Sequence, residues 1–161
     1  MSAWSDVVAS APELAVAVRE RFDAHGLALL ATVRNDGSPR ISGIEPLFTD
    51  DHLWFGMMDG SRKGADLRRE PRFALHSATV DKQVTSGDAK VVGTVRLVDE
   101  PEAKAAFVEA FTRASGAPPP DGPFDLFLAD VTEISLLRPA GDHLDIRWWR
   151  AGVGERRLDR Y

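Results

Sequence analysis

The chain has 161 residues and a mass of 17.6 kDa, the size of one domain. Hydrophobic residues make up 43% and charged residues 28%, which excludes a wholly disordered chain, and the absence of cysteine excludes disulfides, thiolate metal sites, iron–sulfur clusters and a cysteine nucleophile. The net charge of −5 and pI near 5.4 argue against a nucleic-acid binder, which usually carries a basic face.

No apolar run reaches the roughly 18–20 residues of a membrane helix, so no membrane partner is expected. Met1 to Ala11 show no basic stretch followed by an apolar one, so no secretory signal is expected and the default location is cytoplasmic. Sixteen arginines stand against four lysines. Arginine suits bidentate phosphate contacts wherever several converge.

Residues 1–25 predict an N-terminal helix. Ser10 with Glu13 three residues on is a capping-box pattern, and Pro12 lies in the permissive first turn. Leu14, Val18 and Phe22 repeat on one face until Gly26 stops the helix. Residues 27–34 (LALLATVR) predict a strand, Asn35-Asp36-Gly37-Ser38 a hairpin turn, and 39–48 (PRISGIEPLF) the return strand. After Asp50-Asp51, residues 52–58 (HLWFGMM) predict a third strand. Gly43 and Gly56, inside strand patterns, mark a bulge or a close approach to the backbone. Residues 62–70 (RKGADLRRE) predict a short helix that ends before Pro71. Strands follow at 72–79 (RFALHSAT) and 89–98 (AKVVGTVRLV). From Pro101 onward, Ala103, Phe107, Ala110, Phe111 and Ala114 form the apolar stripe of another helix. After the loop 116–123 (GAPPPDGP) come strands at 126–137 and 143–150, then a basic tail as a short final strand or arm. Such close spacing implies tight hairpins and antiparallel pairing. The expected fold is mainly β, a small antiparallel barrel with peripheral helices in a single domain over 1–161. Its parts are the helix at 1–25, barrel strands and short helix at 26–100, a helix at 101–115, and final strands with a C-terminal arm at 124–161.

Catalytic hardware is sparse. There is no G-x-S-x-G elbow, no Walker A loop and no H-E-x-x-H pair. His25, His52, His76 and His143 are scattered without metal-ligand spacing, so no metal site is expected, and each reads as a surface or satisfied core residue. One segment differs. Asp59-Gly60-Ser61-Arg62-Lys63-Gly64 lies at a predicted strand-to-helix junction. Unpaired N–H groups, the positive end of the helix dipole, the Ser61 hydroxyl and the charges of Arg62 and Lys63 make a candidate phosphate cradle. Arg40 can reach it from an adjoining strand. The alternative is a capped surface helix with two solvated basic residues.

Three stretches, GLALLATVRNDGSPRISGIEPLF, HLWFGMMDGSRKGADLRREPRFALH and GDAKVVGTVRLVDEPE, resemble in this order the flavin-binding split-barrel family typified by pyridoxamine 5′-phosphate oxidase. The Ser-Arg-Lys and LRREPR pieces together carry most of the likeness. The resemblance implies a six-stranded antiparallel split β-barrel that forms a homodimer, with cofactor sites at the interface. It implies hydride transfer between bound FMN and a small molecule; a subgroup of the family uses the deazaflavin F420 instead. By position, Ser61, Arg62 and Lys63 would bind the cofactor phosphate. Arg40, Ile41, Ser42 and Gly43, with Ile44, would lie along the isoalloxazine, and Met57 and Met58 would line the ring pocket. Trp148, Trp149 and Arg150 are candidates to complete the site from the partner chain. Adjacent strand residues point to opposite faces, so at most one of the two tryptophans faces the cofactor. Arg68, Arg69 and Arg72 are candidates for the acidic tail of F420.

No general acid or base is identifiable. The C-terminal Arg157-Leu158 lacks the nearby proline of the family's substrate-binding end, which argues against vitamin B6 phosphate as substrate. Two other readings stand beside the enzyme. One is a flavin-binding protein of this fold without turnover. The other is a small-barrel interaction module, against which the acidic pI and the lack of an aromatic-basic strand face both count.

Overall fold

A computed structural model describes residues 2–161. Its elements are α1 (Trp4–Ser10), α2 (Pro12–Asp23), β1 (Ala28–Val33), β2 (Pro39–Ile44), β3 (Pro46–Phe48), β4 (Leu53–Met58), α3 (Arg62–Arg69), β5 (Arg72–Ser77), β6 (Asp88–Leu97), α4 (Pro101–Ser115), β7 (Phe124–Ala140), β8 (His143–Arg150) and β9 (Gly154–Arg160). Every strand pair is antiparallel. The ladder runs β2-β1-β5-β6-β7-β4-β3, and β8 and β9 continue from β7 as a hairpin.

Nine strands therefore make one sheet where six were expected, and hydrogen bonds do not close it. β8 and β9 account for two of the added strands, and the third, with the open seam, comes from Glu45-Pro46. Proline has no N–H for a ladder, and the predicted strand 39–48 divides there into β2 and β3. The first part pairs with β1 and the second with β4. The two ends of the ladder are thus neighbours in sequence, and the chain itself bridges the seam through one residue.

Strand alternation sends Leu30, Leu75, Val91 and Ile134 inward, where they meet Trp4, Val7, Leu14, Val18 and Phe22 from α1 and α2 in one core. Each such side chain contributes about 1.5–3 kcal/mol on burial. The expected single N-terminal helix is two. The Ser10–Glu13 capping box does not form across them: the N-cap of α2 is Ala11, with no side-chain cap. Pro12 opens α2, and the residue before a proline is pushed out of the helical region, which makes Ala11 the break. Ser10 ends α1 instead, and its Oγ accepts a hydrogen bond from Trp149 Nε1 at 2.8 Å.

A second apolar cluster joins Phe107 of α4 to Leu47, Val98 and Leu126. Gly56 permits this, since a Cβ there would lie 2.6 Å from Phe107 Cζ. Gly93 marks a bulge in β6, and a Cβ there would lie 2.0 Å from the Asp130 carbonyl oxygen. Around Gly43, by contrast, no protein atom comes within 4 Å of a Cβ position. No helix among the described residues is long and apolar enough to cross a membrane.

Candidate functional site

The start of α3 follows directly on β4. Ser61 donates its N–H to Met58 O at 3.1 Å, and its Oγ caps the helix by accepting from Gly64 N at 3.2 Å. The amides of Arg62 and Lys63, first in the helix, meet no acceptor among the described residues, as helix geometry dictates. Arg62 is exposed. Lys63 reaches across to the end strand of the ladder, where Nζ donates to Gly43 O at 2.6 Å. Partial burial pulls its ammonium pKa below the ordinary value.

One helical turn further on, Asp66 is 3% exposed and ties three elements together. Its Oδ2 accepts from Thr32 Oγ1 of β1 at 2.8 Å and from Arg40 Nε of β2 at 2.6 Å. Its Oδ1 accepts from Arg69 Nη2 at 3.2 Å, and Arg69 Nη2 also donates to Val33 O at 2.7 Å. Burial alone pushes the Asp66 carboxyl up. The hydrogen bonds from Arg40, Thr32 and Arg69, with the charge of Arg40, outweigh burial and hold it below its ordinary value. Arg68 pairs with the buried Asp125 of β7. The helix is thereby anchored to β1, β2 and β7 by charged and polar contacts.

The expected site residues divide by strand alternation. Arg40 and Ser42 point to the inner side of β2; Ile41, 70% exposed, and Gly43 point out. Ser42 Oγ is buried without a hydrogen-bond partner, and Ile44 belongs to the core. Met57 is buried beneath Gly64, whereas Met58 is 79% exposed, so the two do not line one surface. Trp149 is core. Trp148 lies across from Ser135 and Arg156, with the Arg150 guanidinium 5.7 Å from its ring centroid. The row from Gly43 runs through Leu29, His76, Lys90 and Ser135 to Trp148. That is five strand spacings, about 24 Å along the sheet. Within one chain the structure brings Ser61, Arg62, Lys63, Gly43 and Arg40 together, and Trp148 stands five strands further along the sheet.

The outer face beside the cradle is apolar. Ile41, Ala31, Ala74 and Val92 stand in one register row, with Leu29 in the next. They line a groove of about 400 Å³. Its polar end holds Lys90 and His76; the His76 ring nitrogens lie 2.6 Å from Ser77 O and 3.8 Å from Asp88 Oδ2. Sequence reasoning missed Asp66 and Thr32. Their only signal was a polar residue at an inward position, Thr32 after Ala28 and Leu30 in the alternation of β1 and Asp66 beside the buried Leu67, and their partners are remote in sequence.

The chain matches the family model for pyridoxamine 5′-phosphate oxidase over residues 14–138. No curated protein matches it. Among solved structures, a pyridoxamine 5′-phosphate oxidase-related, FMN-binding protein from Nostoc punctiforme superposes with a TM-score of 0.65 at 15% identity, covering 94% of this chain and 96% of that one. A conserved hypothetical protein of Mycobacterium tuberculosis gives 0.62 at 23% identity, covering 78% and 82%. An F420 reductase gives 0.54 at 22% identity, covering 68% and 88%. At these identities the likeness is one of fold. It agrees with the family match, which spans most of the sequence including the whole α3 junction, and the chain belongs to the pyridoxamine 5′-phosphate oxidase family.

Proposed function

We propose that the protein is an FMN-dependent oxidoreductase, transferring a hydride between the flavin and a small molecule, and that it works as a homodimer with its cofactor sites at the interface. The observation that carries this reading is the α3 start. Two amides without acceptors, the Ser61 hydroxyl, Arg62 and Lys63 are gathered beside β2. These are the donors a phosphate needs. The nearby carboxylates oppose it little, because Asp66 and Asp125 already have arginine partners. Ile41 and the bare backbone at Gly43 offer an open surface for a flat ring. In this reading Ser61, Arg62 and Lys63 hold the phosphate and β2 backs the ring. The bound flavin supplies the redox chemistry.

The FMN-binding Nostoc neighbour supports FMN, and the F420 reductase supports the alternative of a deazaflavin. One observation favours FMN. Arg68, Arg69 and Arg72, which would meet the acidic tail of F420, are already paired with Asp125, Asp66 and Glu70. The dimer is supported by the apolar outer face, where Leu29 and Ile41 stand exposed. It also accords with the placement of Trp148 five strands along the sheet from the cradle, which a second copy would supply.

Titration of the purified chain with FMN and with F420, followed by fluorescence, tests the reading. Binding of FMN at one per subunit, with a dimer in sedimentation, is expected. Preference for F420 would transfer the reading to the deazaflavin, and binding of neither would overturn it. Reduction of the bound cofactor by a pyridine nucleotide separates an enzyme from a protein that only holds flavin.

A further inference from the structure

Arg40 is held by one nitrogen only. Its Nε donates to Asp66, and neither terminal nitrogen meets an acceptor among the described residues. The side chain is only 18% exposed. A guanidinium carries five N–H donors, and those on the two terminal nitrogens reach solvent and stand open to a ligand. The unfilled edge is the planar fork that matches a phosphate or carboxylate bidentately.

What aims the fork is the other half of the contact. Thr32 Oγ1 and Arg69 Nη2 fix the two oxygens of Asp66 from β1 and from α3. Asp66 in turn fixes Nε of Arg40 on β2. The two arginines outnumber the one carboxylate, so the cluster keeps a positive charge for an anion to meet. Docking a helix does not require any of this, since an apolar contact does so without burying charge, as α4 does through Phe107.

We infer that Asp66 is a positioning residue that presets Arg40 as a fork for an oxyanion group of the ligand. The inference rests on reading the α3 start as an anion site, and its test separates the two.

FMN and inorganic phosphate serve as probes of the full chain. Asp66→Asn is expected to raise the FMN Kd about tenfold, the scale of one charge-assisted hydrogen bond. Thr32→Val takes a donor from the same carboxylate without releasing Arg40. It is expected to lower Tm and to raise Kd by clearly less than Asp66→Asn does, because Arg40 Nε keeps its carboxylate. In an Arg40→Ala background, Asp66→Asn is expected to add nothing to Kd. A further loss there, or an unchanged Kd in Asp66→Asn alone, overturns the inference, because Asp66 would then not act through Arg40.

Should Asp66→Asn not fold, nitrogen-15 NMR of the unaltered chain decides. The Arg40 Nε–H is expected to resist exchange without ligand, and the terminal nitrogens to shift when FMN or phosphate is added. Rapid exchange at Nε, or no shift with either probe, overturns the inference. If FMN does not bind but phosphate moves the terminal signals, the flavin reading falls and the role of Asp66 stands.

Discussion

Helices α3 and α4 are fastened to the same sheet by different balances of apolar and polar contact. α4 lies on it through Phe107, with Val108 and Phe111 beside it, packed against Leu47, Val98 and Leu126. α3 buries Leu67 in the main core and adds Asp66, Arg68, Arg69 and Lys63 reaching to β1, β2 and β7. Apolar contact is strong but non-directional, and it tolerates small shifts. Hydrogen bonds are directional, and those of α3 specify where its first turn sits relative to β2. The helix that needs only to cover the sheet is greased to it, and the helix that must present a cradle is pinned.

The sharpest way to break this contrast is Phe107→Ala, which should cost about 3–5 kcal/mol in denaturant unfolding yet leave the FMN Kd of the folded protein unchanged. A weakened Kd would show that α4 also tunes the site. Next in size, the double variant Arg62→Ala with Lys63→Ala should raise the FMN Kd some 10–100-fold, about 1.4–2.8 kcal/mol, while Tm falls by only about 2–4 °C for the lost Lys63 bond to Gly43 O. Unchanged affinity would sink the cradle. Gly56→Ala places a methyl 2.6 Å from Phe107 Cζ. It should destabilise by about 1–2 kcal/mol in the same unfolding assay, again without touching Kd.

The smallest effect is in pH. The Asp66 carboxyl titrates below its ordinary value in the folded chain. Its contribution is therefore complete above the unfolded value near 4 and lost as pH falls through the lower folded one. The stability gap between the unaltered chain and Asp66→Asn should close below about pH 4. The deficit of Phe107→Ala should not depend on Asp66 at any pH. A gap that stays constant down to about pH 2 would deny the carboxylate its charged role.

Local signals were legible in the sequence and long-range ones were not. The Leu14, Val18, Phe22 stripe and the Ser61-Arg62-Lys63 junction involve neighbours on one helix or turn, and both lie where the residues placed them. The division of β2 from β3 was signalled by Pro46, but which strand each half would pair with depends on partners elsewhere in the sheet. Period-2 alternation states that Trp148 and Trp149 point oppositely; only the packing of α1, through Ser10, shows that Trp149 is the inner one. Asp66 escaped notice because its partners Thr32 and Arg40 stand 34 and 26 residues away. A buried charge leaves no periodic trace, as its neutralisation is arranged by the tertiary fold.

The hairpin of β8 and β9 leaves one strand with an unpaired flank. β9 pairs only with β8, and an open row of N–H and C=O groups is a template for another chain to add to. Leu158 and Tyr161 stand exposed there and would aid such stacking. Arg156, Arg157 and Arg160 stand exposed along the same short strand. Arg157 is paired with Asp145 and Asp159, but two copies meeting edge to edge would bring Arg156 and Arg160 of each, which have no carboxylate partner among the described residues, into one row, which works against fibre-like association. Exchanging all three for threonine should leave the monomer's fold intact and yield a protein that aggregates as its concentration rises.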